Sequence, residues 1–150
     1  MILCVQRVTS AEVRVDGERV GGIGLGLLVL IGAERGDGLE DAEQAARKVA
    51  GMRVFEDAQG KMNLALAEVG GEVLAVSQFT LAADLSRGRR PGFERALPGE
   101  DARPLYERFV SALRELSVPV ETGVFGAMME VALVNSGPAT FILEVRRSNL

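Results

Sequence analysis

Gly24-Leu25-Gly26-Leu27-Leu28-Val29-Leu30-Ile31 is the stretch on which the architecture turns. Its aliphatics run without polar alternation and are bounded by glycine, the pattern of a strand buried on both faces, which needs helices over a sheet. Downstream, Ala42, Ala45, Ala46 and Val49 recur at helical spacing. Upstream, Val13, Val15 and Val20 alternate around Asp16-Gly17, a hairpin signal, and Ile2 to Val8 reads as a strand. Further along come a short strand at Arg53-Val54-Phe55, a turn through Asp57 to Gly60, and a strand from Glu72 to Gln78 running into Phe79-Thr80-Leu81. Ala102, Leu105, Tyr106, Phe109, Leu113 and Leu116 predict a second amphipathic helix with Pro104 in its first turn, where the missing N–H matters little. Val118 to Glu121 reads as a short strand; Met128 to Val134 and Ala139 to Val145 read as two strands joined through Asn135-Ser136-Gly137-Pro138.

The expected fold is therefore α/β: one compact domain over 1–150, with mainly antiparallel or mixed β-sheet layers and two amphipathic helices. A strand–helix–strand pattern at Gly26 to Phe55 returns at Gly71 to Val120, which raises a possible internal duplication. Arg146 to Leu150 is left as a short tail without assigned purpose.

Composition narrows the chemistry. The 150 residues include no histidine and one cysteine, Cys4. Ser-His-Asp and Cys-His machinery is excluded, and a Cys/His zinc site cannot be assembled. Carboxylate-only sites for magnesium or calcium stay possible, although no metal and no cofactor are expected. With no disulfide partner for Cys4, and no apolar run near the ~20 residues that span a bilayer, the expectation is a cytoplasmic protein without a membrane partner. Seventeen basic against 21 acidic residues give a net charge of −4, which argues against broad nucleic-acid binding but allows a local patch.

Several segments compete for function. Gly22, Gly24 and Gly26 precede a strand, whereas a nucleotide fingerprint follows one, so they read as turn or bulge glycines. Glu40-Asp41 and Glu100-Asp101 fall at helix starts and read as capping groups. Ser77-Gln78-Phe79-Thr80 ends a buried strand in polar groups; strand ends host sites in α/β folds, although Ser and Thr also cap strands. Arg87, Arg89 and Arg90 make the most basic segment of an acidic chain, suited to phosphate or simply solvated. Gly137-Pro138 between strong strands is a place where a cis bond is affordable, and Arg7, an awkward charge in an apolar strand, either braces those carbonyls or sits at an edge in solvent.

Together Ser77-Gln78-Phe79-Thr80-Leu81, Gly88-Arg89-Arg90-Pro91 and Asn135-Ser136-Gly137-Pro138-Ala139-Thr140 resemble the bacterial D-aminoacyl-tRNA deacylase family. Val5-Gln6-Arg7-Val8, Gly60-Lys61-Met62-Asn63-Leu64 and Leu105-Tyr106-Glu107-Arg108-Phe109 are similar to it too, so the likeness covers nearly the whole chain. The resemblance implies a cytoplasmic homodimer that hydrolyses D-aminoacyl-tRNA, and glycine mischarged on alanine tRNA, at the acceptor end. It implies catalytic positions at Ser77, Gln78, Phe79 and Thr80, and substrate contacts from Gly137, Pro138, Met129 and Arg7, with Gly137-Pro138 cis and reaching the partner's pocket. Water activation by the tRNA 2′-hydroxyl is implied as well; whether Thr80 also takes part stays open. The alternative is a non-catalytic, homodimeric tRNA-binding module using Arg87, Arg89 and Arg90.

Overall fold

The computed structural model describes residues 1–146; the remainder of the Arg146–Leu150 tail lies outside the described residues. Strand β1 (Ile2–Val15) turns at Asp16-Gly17 into β2 (Glu18–Ile23), followed by β3 (Gly26–Gly32) and helix α1 (Leu39–Gly51). Both turn residues have positive φ, 50° and 80°, the type I′ geometry that suits twisted strands. Then come β4 (Phe55–Glu56), β5 (Met62–Leu64), the one-turn helix α2 (Leu66–Val69) and β6 (Glu72–Ser77). A 3₁₀ turn (Phe79–Ala82), α3 (Gly99–Glu115), β7 (Val120–Thr122) and β8 (Glu130–Glu144) complete the order. None of the described helices is long and apolar enough to cross a membrane.

The main sheet runs β2-β1-β3-β6-β7, and β8 lies along the other side of β1. β3 pairs parallel with β6 and β6 with β7, so the connections carrying α1 and α3 are both parallel crossovers. The repeated pattern thus survives as two crossovers, but β4 leaves the main sheet to pair with β5. As the unbroken apolar run requires, β3 serves two cores. Leu27, Val29 and Ile31 face α1 and α3 with Phe109 and Val49, while Leu28 joins Val8, Val13, Leu74 and Val76 inside the curled sheet. Asp41 caps α1, its Oδ2 accepting from the Gly38 amide at 2.8 Å.

Three expectations are corrected. The strand from Glu72 stops at Ser77: the Gln78 amide still bonds the Ile31 carbonyl at 2.7 Å, but β3 ends at Gly32 and the Leu81 amide turns back to the Gln78 carbonyl. Pro104 is not in the first turn, because α3 begins at Gly99 behind Pro98. The segments around Asn135–Pro138 are not two strands of a hairpin but one strand, β8, whose halves both pair with β1. Val8 faces Asn135, yet Gln6 faces Thr140, so the four residues Ser136–Ala139 bulge opposite Arg7.

Candidate active site

The C-terminal ends of β3 and β6 lie side by side, with Ile31 paired to Ser77, and a cleft of about 720 Å³ opens beside them. Ser77, Gln78 and Phe79 line it, and so does Met129, which immediately precedes β8. Tyr106 and Phe125 pack at a 45° tilt in its wall with ring centroids 5.7 Å apart, and Phe79 meets Phe93 at 5.1 Å. The walls are therefore largely aromatic and aliphatic, with polar groups gathered where β6 ends.

Thr80 is exposed beside the cleft rather than in its lining, and its Oγ1 accepts a hydrogen bond from the Gln78 side-chain amide. Among the described residues no carboxylate or amine is bonded to that hydroxyl, so nothing there deprotonates it. In the 3₁₀ turn the first closing bond is donated by Leu81, which leaves the Phe79 and Thr80 amides ahead of it without a partner in the turn. The Gln78 amide, by contrast, is occupied by Ile31.

Arg7 and the Gly137-Pro138 bulge form a second cluster, away from the cleft lining. Arg7 is buried; its Nε donates to the Ser136 carbonyl at 3.1 Å and its Nη1 to the Val54 carbonyl at 2.7 Å. The charge that looked awkward in β1 is a two-carbonyl brace at the base of the bulge, not an edge group in solvent. Across the bulge, Asn135 Oδ1 accepts from the Ala139 amide at 3.1 Å. The Gly137-Pro138 peptide is cis, and both residues are exposed.

Arg87, Arg89 and Arg90 ride an exposed loop closed at its base by paired backbone bonds between Asp84 and Gly92. Hydrogen bonds from Ser86 hold the Asp84 carboxyl below its ordinary range. Phe93, one residue past the closure, ties this loop to Phe79. Among the described residues, no group of three His, Cys, Asp or Glu side chains is placed to hold a metal ion.

Tyr106 and Arg35 are among the lining residues that escaped the sequence reading as site residues. Arg35 follows β3 by the same strand-end rule that singled out Ser77. Tyr106 read as core, and it is core: it donates to the Ala75 carbonyl at 2.8 Å, and burial pushes its hydroxyl up to about 12 from 10.0. The neutral phenol is the form the fold favours, so its contribution is whole below pH 10 and is lost as pH climbs towards 12. Melting curves taken across that interval should fall by the equivalent of about 2–3 kcal/mol more in the wild type than in Tyr106→Phe. Parallel curves would contradict this assignment.

The profile of the family described as D-Tyr-tRNA(Tyr) deacylase matches residues 4–144. A D-aminoacyl-tRNA deacylase of Anaeromyxobacter dehalogenans (strain 2CP-C) is 59% identical over 143 residues, 95% of this chain and 96% of that one. Among solved structures, the c-Myc DNA unwinding element binding protein superposes with a TM-score of 0.92 at 40% identity, covering 97% of this chain and 99% of that chain. A probable eukaryotic D-amino acid tRNA deacylase shares the fold, with a TM-score of 0.78 at 19% identity over 95% of this chain and 97% of that chain.

Proposed function

Because the chain belongs to the D-Tyr-tRNA(Tyr) deacylase family and is a tRNA-editing hydrolase, we propose that it cleaves the ester between a D-amino acid and the 3′-terminal adenosine of tRNA, removes glycine from mischarged alanine tRNA, and spares L-aminoacyl-tRNA. The observation that carries this reading is the end of β6: Ser77, Gln78 and Phe79 open on an apolar cleft large enough for a nucleoside, with the Phe79 and Thr80 amides beside them unpaired among the described residues. Adenosine lies between the aromatic walls and Met129, which places the ester carbonyl at the turn. Water adds to that carbonyl, and the Phe79 and Thr80 amides receive the oxyanion; Gln78 contributes its side chain, since its amide is engaged. The family resemblance implies that the 2′-hydroxyl of the terminal ribose assists the water, in keeping with a chain that has no histidine and no base bonded to Thr80 among the described residues.

Selection falls to the bulge. The exposed Gly137 and Pro138 carbonyls reach the cleft of a second copy and crowd an L side chain, while D residues and glycine pass. Two features support a homodimer. The bulge lines no part of its own protomer's cleft, and β8 beside it leaves Val134 and Ile142 exposed at 56% and 64%. Arg87, Arg89 and Arg90 contact the acceptor-stem phosphates, and the enzyme works in the cytoplasm on its tRNA partner.

The test is deacylation of one tRNA charged in turn with the D- and L-forms of an amino acid, repeated with a terminal 2′-deoxyadenosine. Hydrolysis of the D-form alone, lost on removal of the 2′-hydroxyl, is the expected result. Equal rates on both forms refute the chiral role, and tRNA binding without hydrolysis points instead to the binding-module alternative.

A further inference from the structure

Among the described residues lining the cleft, Arg35 is the one that carries a charge. It lies three residues past Gly32, the last residue of β3, and lines the cleft with Ser77 at the end of β6 and Phe79 in the turn that follows. Both its main chain and its side chain are tied to the facing loop: the Arg35 amide donates to the Arg95 carbonyl at 2.9 Å, and its Nε donates to the Glu94 carbonyl at 2.7 Å. The terminal nitrogens Nη1 and Nη2 have no hydrogen-bond partner among the described residues, and no described carboxylate lies within ion-pairing distance of the side chain.

Two neighbouring acids, Glu34 and Asp37, are committed elsewhere, and the exposed Glu94 side chain forms no ion pair among the described residues. Glu34 is buried and takes the Met1 ammonium at 3.6 Å, Arg95 at 3.4 Å and Arg146 at 3.6 Å. Asp37 takes the same ammonium at 2.8 Å. Arg95, half-exposed beside the basic loop, therefore spends its charge on the buried Glu34, whereas Arg35 presents to an aromatic cleft a guanidinium with no ion-pair partner among the described residues. A planar fork held at one nitrogen and open at two is pre-organised for the oxygens of an anion. An anion beside a flat apolar wall is the chemistry of a nucleotide.

We propose that Arg35 binds the phosphate that joins the terminal nucleotide to the rest of the RNA, and so fixes how deeply the acceptor end enters the cleft. This rests on the reading that the terminal adenosine occupies the cleft, and it adds a binding residue to it. The experiment measures calorimetric affinity for two unreactive amides, 3′-deoxy-3′-(D-alanylamino)adenosine and its 5′-phosphate. Wild type should bind the phosphorylated compound about tenfold tighter, the range of a charge-assisted contact. In Arg35→Ala that ratio should fall to near one, and Arg35→Lys, which keeps the charge but not the fork, should restore part of it. A ratio unchanged in Arg35→Ala overturns the proposal, and so does a purely structural outcome in which both compounds weaken equally. If wild type binds both equally, only the phosphate contact fails; if it binds neither, the placement of adenosine in the cleft fails with it.

Discussion

Arg7→Met should leave a folded enzyme that no longer spares L-aminoacyl-tRNA, with the D-to-L rate ratio collapsing while hydrolysis of the D-form persists. The bulge Ser136–Ala139 has no strand partner of its own, since β1 offers a single residue, Arg7, opposite all four. The guanidinium supplies what the ladder cannot, holding the Ser136 carbonyl on one nitrogen and the Val54 carbonyl on another. Charged hydrogen bonds of this sort contribute about 1.5–3 kcal/mol each, so losing both should lower stability by about 3 kcal/mol once water returns to the more open carbonyl. Methionine fills much of the vacated volume, which keeps the cavity term small; Arg7→Ala should lose the same selectivity at a greater loss of stability. Parallel thermal melts and paired D/L assays separate the two effects. Undiminished rejection of the L-form by a folded Arg7→Met would mean that orientation of the bulge does not govern selectivity.

Gly26→Ala should prevent stable folding, whereas Gly24→Ala, two residues away, should be close to neutral. A Cβ on Gly26 would stand 1.9 Å from the Glu72 carbonyl oxygen and 2.7 Å from the Glu72 nitrogen. Those are backbone atoms of the parallel partner at the first pair of the β3–β6 ladder, and they cannot rotate away as a side chain would. Separating the strands there breaks both cores, because β3 and β6 supply residues to each. The loss should exceed the roughly 1–3 kcal/mol typical of overpacking. A Cβ on Gly24 meets nothing within 4 Å, so alanine there mainly restricts the unfolded chain. Chemical denaturation of the two variants side by side provides the check, and similar midpoints would contradict it.

The contrast also corrects how those glycines read in sequence. The reading as turn or bulge glycines is incomplete for one of them: Gly26 is where two parallel strands approach too closely for any side chain, and the nearby Gly21 is likewise 2.2 Å from the Thr122 carbonyl by its imagined Cβ. Nothing within the run Gly21–Gly26 announces that, because the crowding atoms lie some fifty and a hundred residues further on.

Local pattern sufficed for much of this molecule. The aliphatic run Leu27–Ile31 required cover on both faces and has it; Ala42, Ala45, Ala46 and Val49 at i, i+3, i+4, i+7 made α1; Asp16-Gly17 made the hairpin turn. The ordered motifs from Val5 to Thr140 were enough for the family, since side-chain identity is carried by the chain itself. Pairing over long distances was not legible in that way. Asn135–Pro138 looked like a hairpin because its flanking strands are adjacent in sequence, yet each half hydrogen-bonds to β1 more than a hundred residues away, and that register creates the bulge and gives the buried Arg7 its task. The cleft arose likewise, from the side-by-side ends of β3 and β6, and it made Arg35, which the sequence had not singled out, the sole charge among the described lining residues. Periodicity is a property of neighbours along the chain, whereas a pocket or a brace is a property of groups that only packing brings together.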